Sequence, residues 1–122
     1  FHIEIDKTLT IKTDAILVSE ALKALIINAI IFRGSVEPFV CVKASMINNN
    51  IDIIVEDNGE GMTDEVMQKA FNIFYRGSEK SKGTGLGLYM VKKIVQRLGG
   101  NVRLKQLTKG LSVTISLPTD RP

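Results

Sequence analysis

Six of the ten glycines fall between Gly59 and Gly87, bunched at two places instead of scattered through the chain. "DNGEG" sets Gly59 and Gly61 either side of Glu60, straight after an apolar run, and "GTGLGL" alternates Gly83, Gly85 and Gly87 with Thr84 and Leu86. Glycine admits φ > 0 and lets a flat ligand approach the main chain closely. A helical pattern begins at the second cluster, and the N–H groups and dipole at a helix start make a ready anion site. The two clusters mark joints between elements around one intervening loop.

The rest of the chain supplies those elements. "HIEID" alternates as an opening strand, and "LTIK" reads as a second short one. Between Asp14 and about Phe32, Val18, Leu22, Leu25, Ala29 and Phe32 recur at spacings of three and four, with Thr13 or Asp14 as cap and Gly34 and Pro38 at the exit. "FVCVKASM" and "IDIIV" predict a hairpin joined through Asn48-Asn49-Asn50, and Asp57 sits where the second strand ends. "TDEVMQKAF" reads as a short helix capped by Thr63, and "NIFYRGSEKSK" as a loop. A longer helix is expected from about Gly85 to Leu98, with Leu86, Met90, Ile94 and Leu98 on one stripe beside Val91 and Val95, ended by Gly99-Gly100. "NVRLKQL" alternates, and "LSVTISL" places Leu111, Val113, Ile115 and Leu117 on one face. The sum is an α+β fold, a two-layer α/β sandwich whose mixed sheet is covered on one face by about three helices.

At 122 residues the chain is one domain, residues 1–122, and its start without Met reads as a domain excised from a longer protein. No run approaches the roughly 20 apolar residues that cross a bilayer. A single cysteine, Cys41, excludes an intrachain disulfide framework and suits a reducing cytoplasm; it reads as a small buried hydrophobe in a strand. The net charge of +3 gives no argument for nucleic acid. Arg76, Lys80, Lys82, Lys92, Lys93 and Arg97 against Glu79 nevertheless make a local positive field, suited to an anion or to a solvated helix face.

Known phosphate loops do not fit. The dinucleotide fingerprint and the protein-kinase loop both want glycine where Leu88 stands, and no glycine precedes a Lys and a hydroxyl residue at Walker spacing. What remains is D-x-G-x-G, a helix and a loop, then G-x-G-x-G opening a helix. An isolated DNG is by default an Asx turn; with the second box downstream, Asp57 is better read as the wall of a pocket.

In that order, these motifs resemble the catalytic, ATP-binding domain of sensor histidine kinases in the GHKL superfamily, whose fold is the Bergerat fold. "ALKALIINAIIF" is similar to the N box, "DNGEG" to the G1 box, "AFNIFYR" to the F box and "GTGLGL" to the G2 box, and the resemblance runs over nearly the whole chain. It implies that Asp57 accepts from the adenine amine, with Gly59, Gly61 and Met62 around the base and Phe32 packed on it. It implies that Asn28 is a ligand of Mg²⁺. Arg76 and Lys82 would lie on a lid near the γ-phosphate, and Gly83, Thr84, Gly85, Leu86, Gly87 and Leu88 would form the phosphate-side hinge. The expected cofactors are ATP and Mg²⁺. The expected partners are ATP or ADP, a histidine-containing dimerisation domain in the full-length protein and a response regulator, with a cytoplasmic location and no membrane segment in this domain.

Two positions depart from the pattern. Relatives that hydrolyse ATP carry a Glu, as general base, where Ala24 stands, and many members have a phosphate-directed Lys where Ile31 stands. His2 is the only histidine, and "HIEID" does not resemble the acceptor box, so no phosphoacceptor is expected in cis. The alternatives are a pseudo-kinase that binds nucleotide without turnover, or a serine-kinase anti-sigma factor, which normally keeps the acid that Ala24 replaces.

Overall fold

The computed structural model describes residues 2–5, 15–31, 39–71 and 87–118. Along the chain the elements are β1 (His2–Ile5), α1 (Ala15–Ile31), β2 (Val40–Ile47), β3 (Asn50–Asp57), α2 (Asp64–Lys69), α3 (Gly87–Arg97), β4 (Asn101–Gln106) and β5 (Leu111–Pro118). The strands form one sheet in the order β1-β2-β3-β5-β4. β1 runs parallel to β2 and every other pairing is antiparallel, so the sheet is mixed, as expected.

Period-two alternation decides which face of the sheet is covered. Val42, Val55, Val113 and Leu104 lie in one cross-strand row, and Ala44, Ile53, Ile115 and Val102 in the next. These rows meet Ala21, Leu25 and Ala29 of α1 and Leu88, Val91, Ile94, Val95 and Leu98 of α3 in one apolar core. The opposite parity is polar. There Ser116 Oγ donates to Asp52 Oδ1 at 2.6 Å, Arg103 Nη2 reaches Asp52 Oδ2 at 3.6 Å, and Lys43 pairs with Glu56 at 3.4 Å. Asp52, although only 9% exposed, is therefore partnered. One apolar face and one polar face give two layers.

Local signals end the elements where the sequence places them. Thr63 caps α2, its Oγ1 accepting from Val66 N at 3.2 Å. After α3 the Gly99 N–H donates to Gln96 O and the Gly100 N–H to Val95 O, a Schellman closure in which Gly99 takes φ +82. Gly100 passes directly over the Ser116 carbonyl, where a Cβ would not fit. Cys41 is buried and free, as read from its strand.

Two readings are corrected. Met90 is 39% exposed, and Leu88 belongs to the buried stripe of α3. Leu88, Val91, Val95 and Leu98 recur at three and four residues, which turns Met90 to the rim of the stripe. The β2–β3 turn is two residues, Asn48 and Asn49, because Asn50 already pairs with Ile47. Asn48 takes the left-handed φ of 56 that Asn tolerates. The strand read at residues 9–12, the caps Thr13 and Asp14, the exit residues Gly34 and Pro38, and the whole loop read at residues 72–82 lie outside the described residues.

The core assignment has a direct check in urea unfolding. Leu98→Ala should lower stability by about 3 kcal/mol, the usual effect of emptying a filled core site. Met90→Ala should stay within about 0.5 kcal/mol of the parent.

Candidate functional site

Asp57 is the last residue of β3, on the parity that faces the helices, and three chain segments converge on it and on Asn58 beside it. Its Oδ1 accepts from Gly59 N at 2.8 Å and from Leu111 N at 3.3 Å. The first bond is an Asx turn; the second ties the turn to the start of β5. Asn58 binds the residue before β2, its Oδ1 accepting from Phe39 N at 2.8 Å and its N–H donating to Phe39 O at 3.3 Å. Gly110, at φ +101, lies against the Asp57 carbonyl so closely that any Cβ would overlap it. The backbone of this acid is thus immobilised from three sides.

Its side chain is only half satisfied. Both backbone donors go to Oδ1, and among the described residues Oδ2 has no hydrogen-bond partner. Burial pushes the Asp57 carboxyl above its ordinary range, and the N–H groups of Gly59 and Leu111 offset part of that rise. A partly desolvated carboxylate oxygen with spare acceptor capacity suits a ligand that presents an N–H donor.

Beyond Asp57 the chain bends through buried Gly59 and through Gly61, at φ +75, before α2 begins. Met62 turns its side chain into the core, and its N–H donates to Gln106 Oε1 at 2.6 Å. Gln106 Nε2 donates to Leu107 O at 3.3 Å. Neither Gln106 nor Gly110 is singled out by motif reasoning. The one signal in the sequence is a polar residue at Gln106, on the parity that Val102 and Leu104 use for the core.

Of the other expected site residues, Asn28 lies half-buried in the last turn of α1, between the core residues Leu25 and Ala29. Ala24 is half-buried and packs against the core. Leu88 is a core residue in the first turn of α3, which Gly87 opens. Asp57, Gly59, Gly61 and Met62 share the β3 end. Phe32, Arg76, Lys82, Gly83, Thr84, Gly85 and Leu86 lie outside the described residues.

Comparison with known proteins gives this geometry its context. Residues 13–121 match the family of histidine kinase-, DNA gyrase B- and HSP90-like ATPases. Sporulation kinase B of Bacillus subtilis is 35% identical over 120 residues, covering 98% of this chain and 28% of that protein. The methanogenesis regulatory histidine kinase FilI of Methanothrix harundinacea is 32% identical over 111 residues, covering 89% of this chain and 12% of that one. The chain thus spans under a third of these relatives. Among solved structures, the catalytic domain of histidine kinase ThkA superposes with a TM-score of 0.86 at 24% identity, covering 98% of this chain and 79% of that chain. Full-length ShkA in complex with AMPPNP superposes with a TM-score of 0.80 at 25% identity, covering 98% of this chain and 27% of that chain. The chain belongs to the histidine kinase-, DNA gyrase B- and HSP90-like ATPase family, as an ATP-binding catalytic domain of the sensor histidine kinase type.

The raised carboxyl fixes the sign of a pH effect. A folded-state pKa above the unfolded value means that the neutral acid stabilises the fold below the ordinary value near 3.8, and that this contribution is lost as pH rises through the folded value. Asp57→Asn keeps an oxygen for Gly59 and Leu111 and removes the disfavoured charge. At pH 7 its melting temperature should equal or exceed the wild type's, with the gap closing below about pH 4. A variant clearly less stable than wild type at pH 7 would show that the ionised carboxylate supports the fold. Gly110→Ala, by contrast, should destabilise by about 2 kcal/mol or more, since both its φ and its contact with Asp57 exclude a Cβ.

Proposed function

We propose that this domain binds Mg-ATP with the base at the β3 end and, within a longer protein, serves transfer of the γ-phosphoryl to a histidine on a separate dimerisation domain. One observation carries the reading: a rigidly held, half-buried carboxylate with one oxygen occupied by backbone and the other, among the described residues, without a hydrogen-bond partner. Asp57 would accept from the adenine amine at Oδ2. Gly59, Gly61 and Met62 would offer main chain to the ring, and Phe32 would pack on it. Asn28 would give its side-chain oxygen to Mg²⁺, a hard cation that takes few protein ligands beside phosphate and water.

Toward the phosphates, Arg76 and Lys82 would neutralise charge, and the stretch from Gly83 to Leu88 would carry backbone N–H groups to the start of α3. When bound, ATP supplies the γ-phosphoryl that the acceptor imidazole takes, with ADP as the leaving group. The chain's own contribution is positioning and charge neutralisation. Ala24 offers no group to take a proton from water, which favours transfer to a protein nucleophile over hydrolysis. The wider assignments belong to the same proposal: a single domain of a longer, cytoplasmically exposed sensor, and a response regulator as downstream partner. Among the described residues no helix is long and apolar enough to cross a membrane.

Ala24 also supports a second reading. An alanine packed against the core puts no polar side chain at that position of α1, as in a pseudo-kinase that binds nucleotide without turnover.

Calorimetric titration with ATP or ADP and Mg²⁺ tests the first step. Wild type should bind, with ligand at 100 times Kd adding about 2.7 kcal/mol of stability. Asp57→Asn, which turns an amide N–H toward the base amine, should lose binding while remaining folded. Equal affinity in that variant would remove Asp57 from the pocket. Incubating the domain with a histidine-bearing helical domain and labelled ATP then separates the two readings: label on the histidine supports the kinase, and nucleotide binding without label supports the pseudo-kinase.

A further inference from the structure

We propose that Gln106 is a positioning residue for nucleotide binding, acting through the turn that carries Gly59, Gly61 and Met62; the inference rests on the nucleotide reading above. The turn has fixed ends. Asp57 Oδ1 holds Gly59 N at its start, and the Thr63 cap begins α2 at its finish. Between them, a side-chain tie runs from Met62 N to Gln106 Oε1, at 2.6 Å and 44 residues distant in sequence. Gln106 is suited to this by having two heads. Its Oε1 takes the Met62 N–H, and its Nε2 is held by Leu107 O at 3.3 Å, so the amide cannot swing away without losing both bonds.

Gly61 and Gln106 are a matched pair. Gly61 sits at φ +75, and a Cβ there would overlap the Gln106 amide. Core packing does not account for the glutamine. It is exposed at the end of β4, opposite Leu111, on the parity where Val102 and Leu104 are half-buried apolar residues. A polar side chain on that parity, spent on one N–H of a glycine turn, sets the height of the main chain against which the base lies. The β4–β5 hairpin thereby acts on the pocket twice, through Leu111 to Asp57 and through Gln106 to Met62.

The test compares Gln106→Met, similar in length but without a strong acceptor, with Gln106→Glu, which keeps one. Amide exchange at Met62 is read by NMR on the 122-residue chain without ligand, and ADP affinity by calorimetry at pH 7.5. Gln106→Met should speed Met62 exchange and weaken ADP binding, each about tenfold, the effect of one lost hydrogen bond. Its urea midpoint should fall by no more than that one lost bond accounts for, with the chain still folded. Gln106→Glu should stay within about threefold of wild type in both readouts. Unchanged exchange in Gln106→Met would overturn the tie, and faster exchange with unchanged affinity would overturn the positioning role. Failure of the unaltered chain to bind ADP would instead sink the nucleotide reading and the positioning role with it, while the exchange rates still decide whether Gln106 holds the turn.

Discussion

The bond between the Asp57 carboxylate and the Leu111 N–H joins the end of β3 to the beginning of β5. Without it, the chain leaving β3 would be governed by its own glycines, and glycine backbone costs the most entropy to order. With it, the acid is locked into an Asx turn on one oxygen, while the other has no hydrogen-bond partner among the described residues. The same carboxylate is thus a structural acceptor on Oδ1 and, in the proposed function, the acceptor for a ligand on Oδ2. Burial that raises its pKa is the accompanying cost, offset in part by the two backbone donors.

That division of labour resolves what looked like a choice. A turn residue and a pocket wall are usually competing descriptions of an Asp in D-N-G. Here the Gly59 N–H and the Leu111 N–H meet on Oδ1, so the turn leaves Oδ2 without a hydrogen bond among the described residues, and the proposed pocket role is compatible with it. The sheet below supplies the rigidity. Val55 is 2% exposed and pairs with Val42 and Val113 on either side, so the strand that delivers Asp57 has no freedom to slip.

Much of this was legible in the residues. The unbroken alternation of "LSVTISL" specifies a strand with one buried face, and Leu111, Val113, Ile115 and Leu117 are all buried. The first glycine box marks the joint after β3, and Thr63 marks the start of α2. Met90 was misplaced because a helical stripe read from spacing alone can be rotated by one residue, and only contact with α1 and the sheet fixes the rotation. Gln106 and Gly110 were invisible as site residues because their partners, Met62 and Asp57, lie tens of residues away. No local pattern encodes such a meeting.

The sequence by itself determined the class of fold, the apolar parity of each strand and the acid at the end of β3. Those follow from periodicity and turn chemistry, which act over a few residues. Tertiary structure alone decided how the Asp57 turn is held: by an N–H from β5, a carbonyl pressed on Gly110 and a glutamine from β4. The physical reason is the antiparallel strand order β3-β5-β4, which brings the end of β3, the start of β5 and the end of β4 to one end of the sheet. There backbone donors, which carry no sequence signature, hold the Asp57 turn.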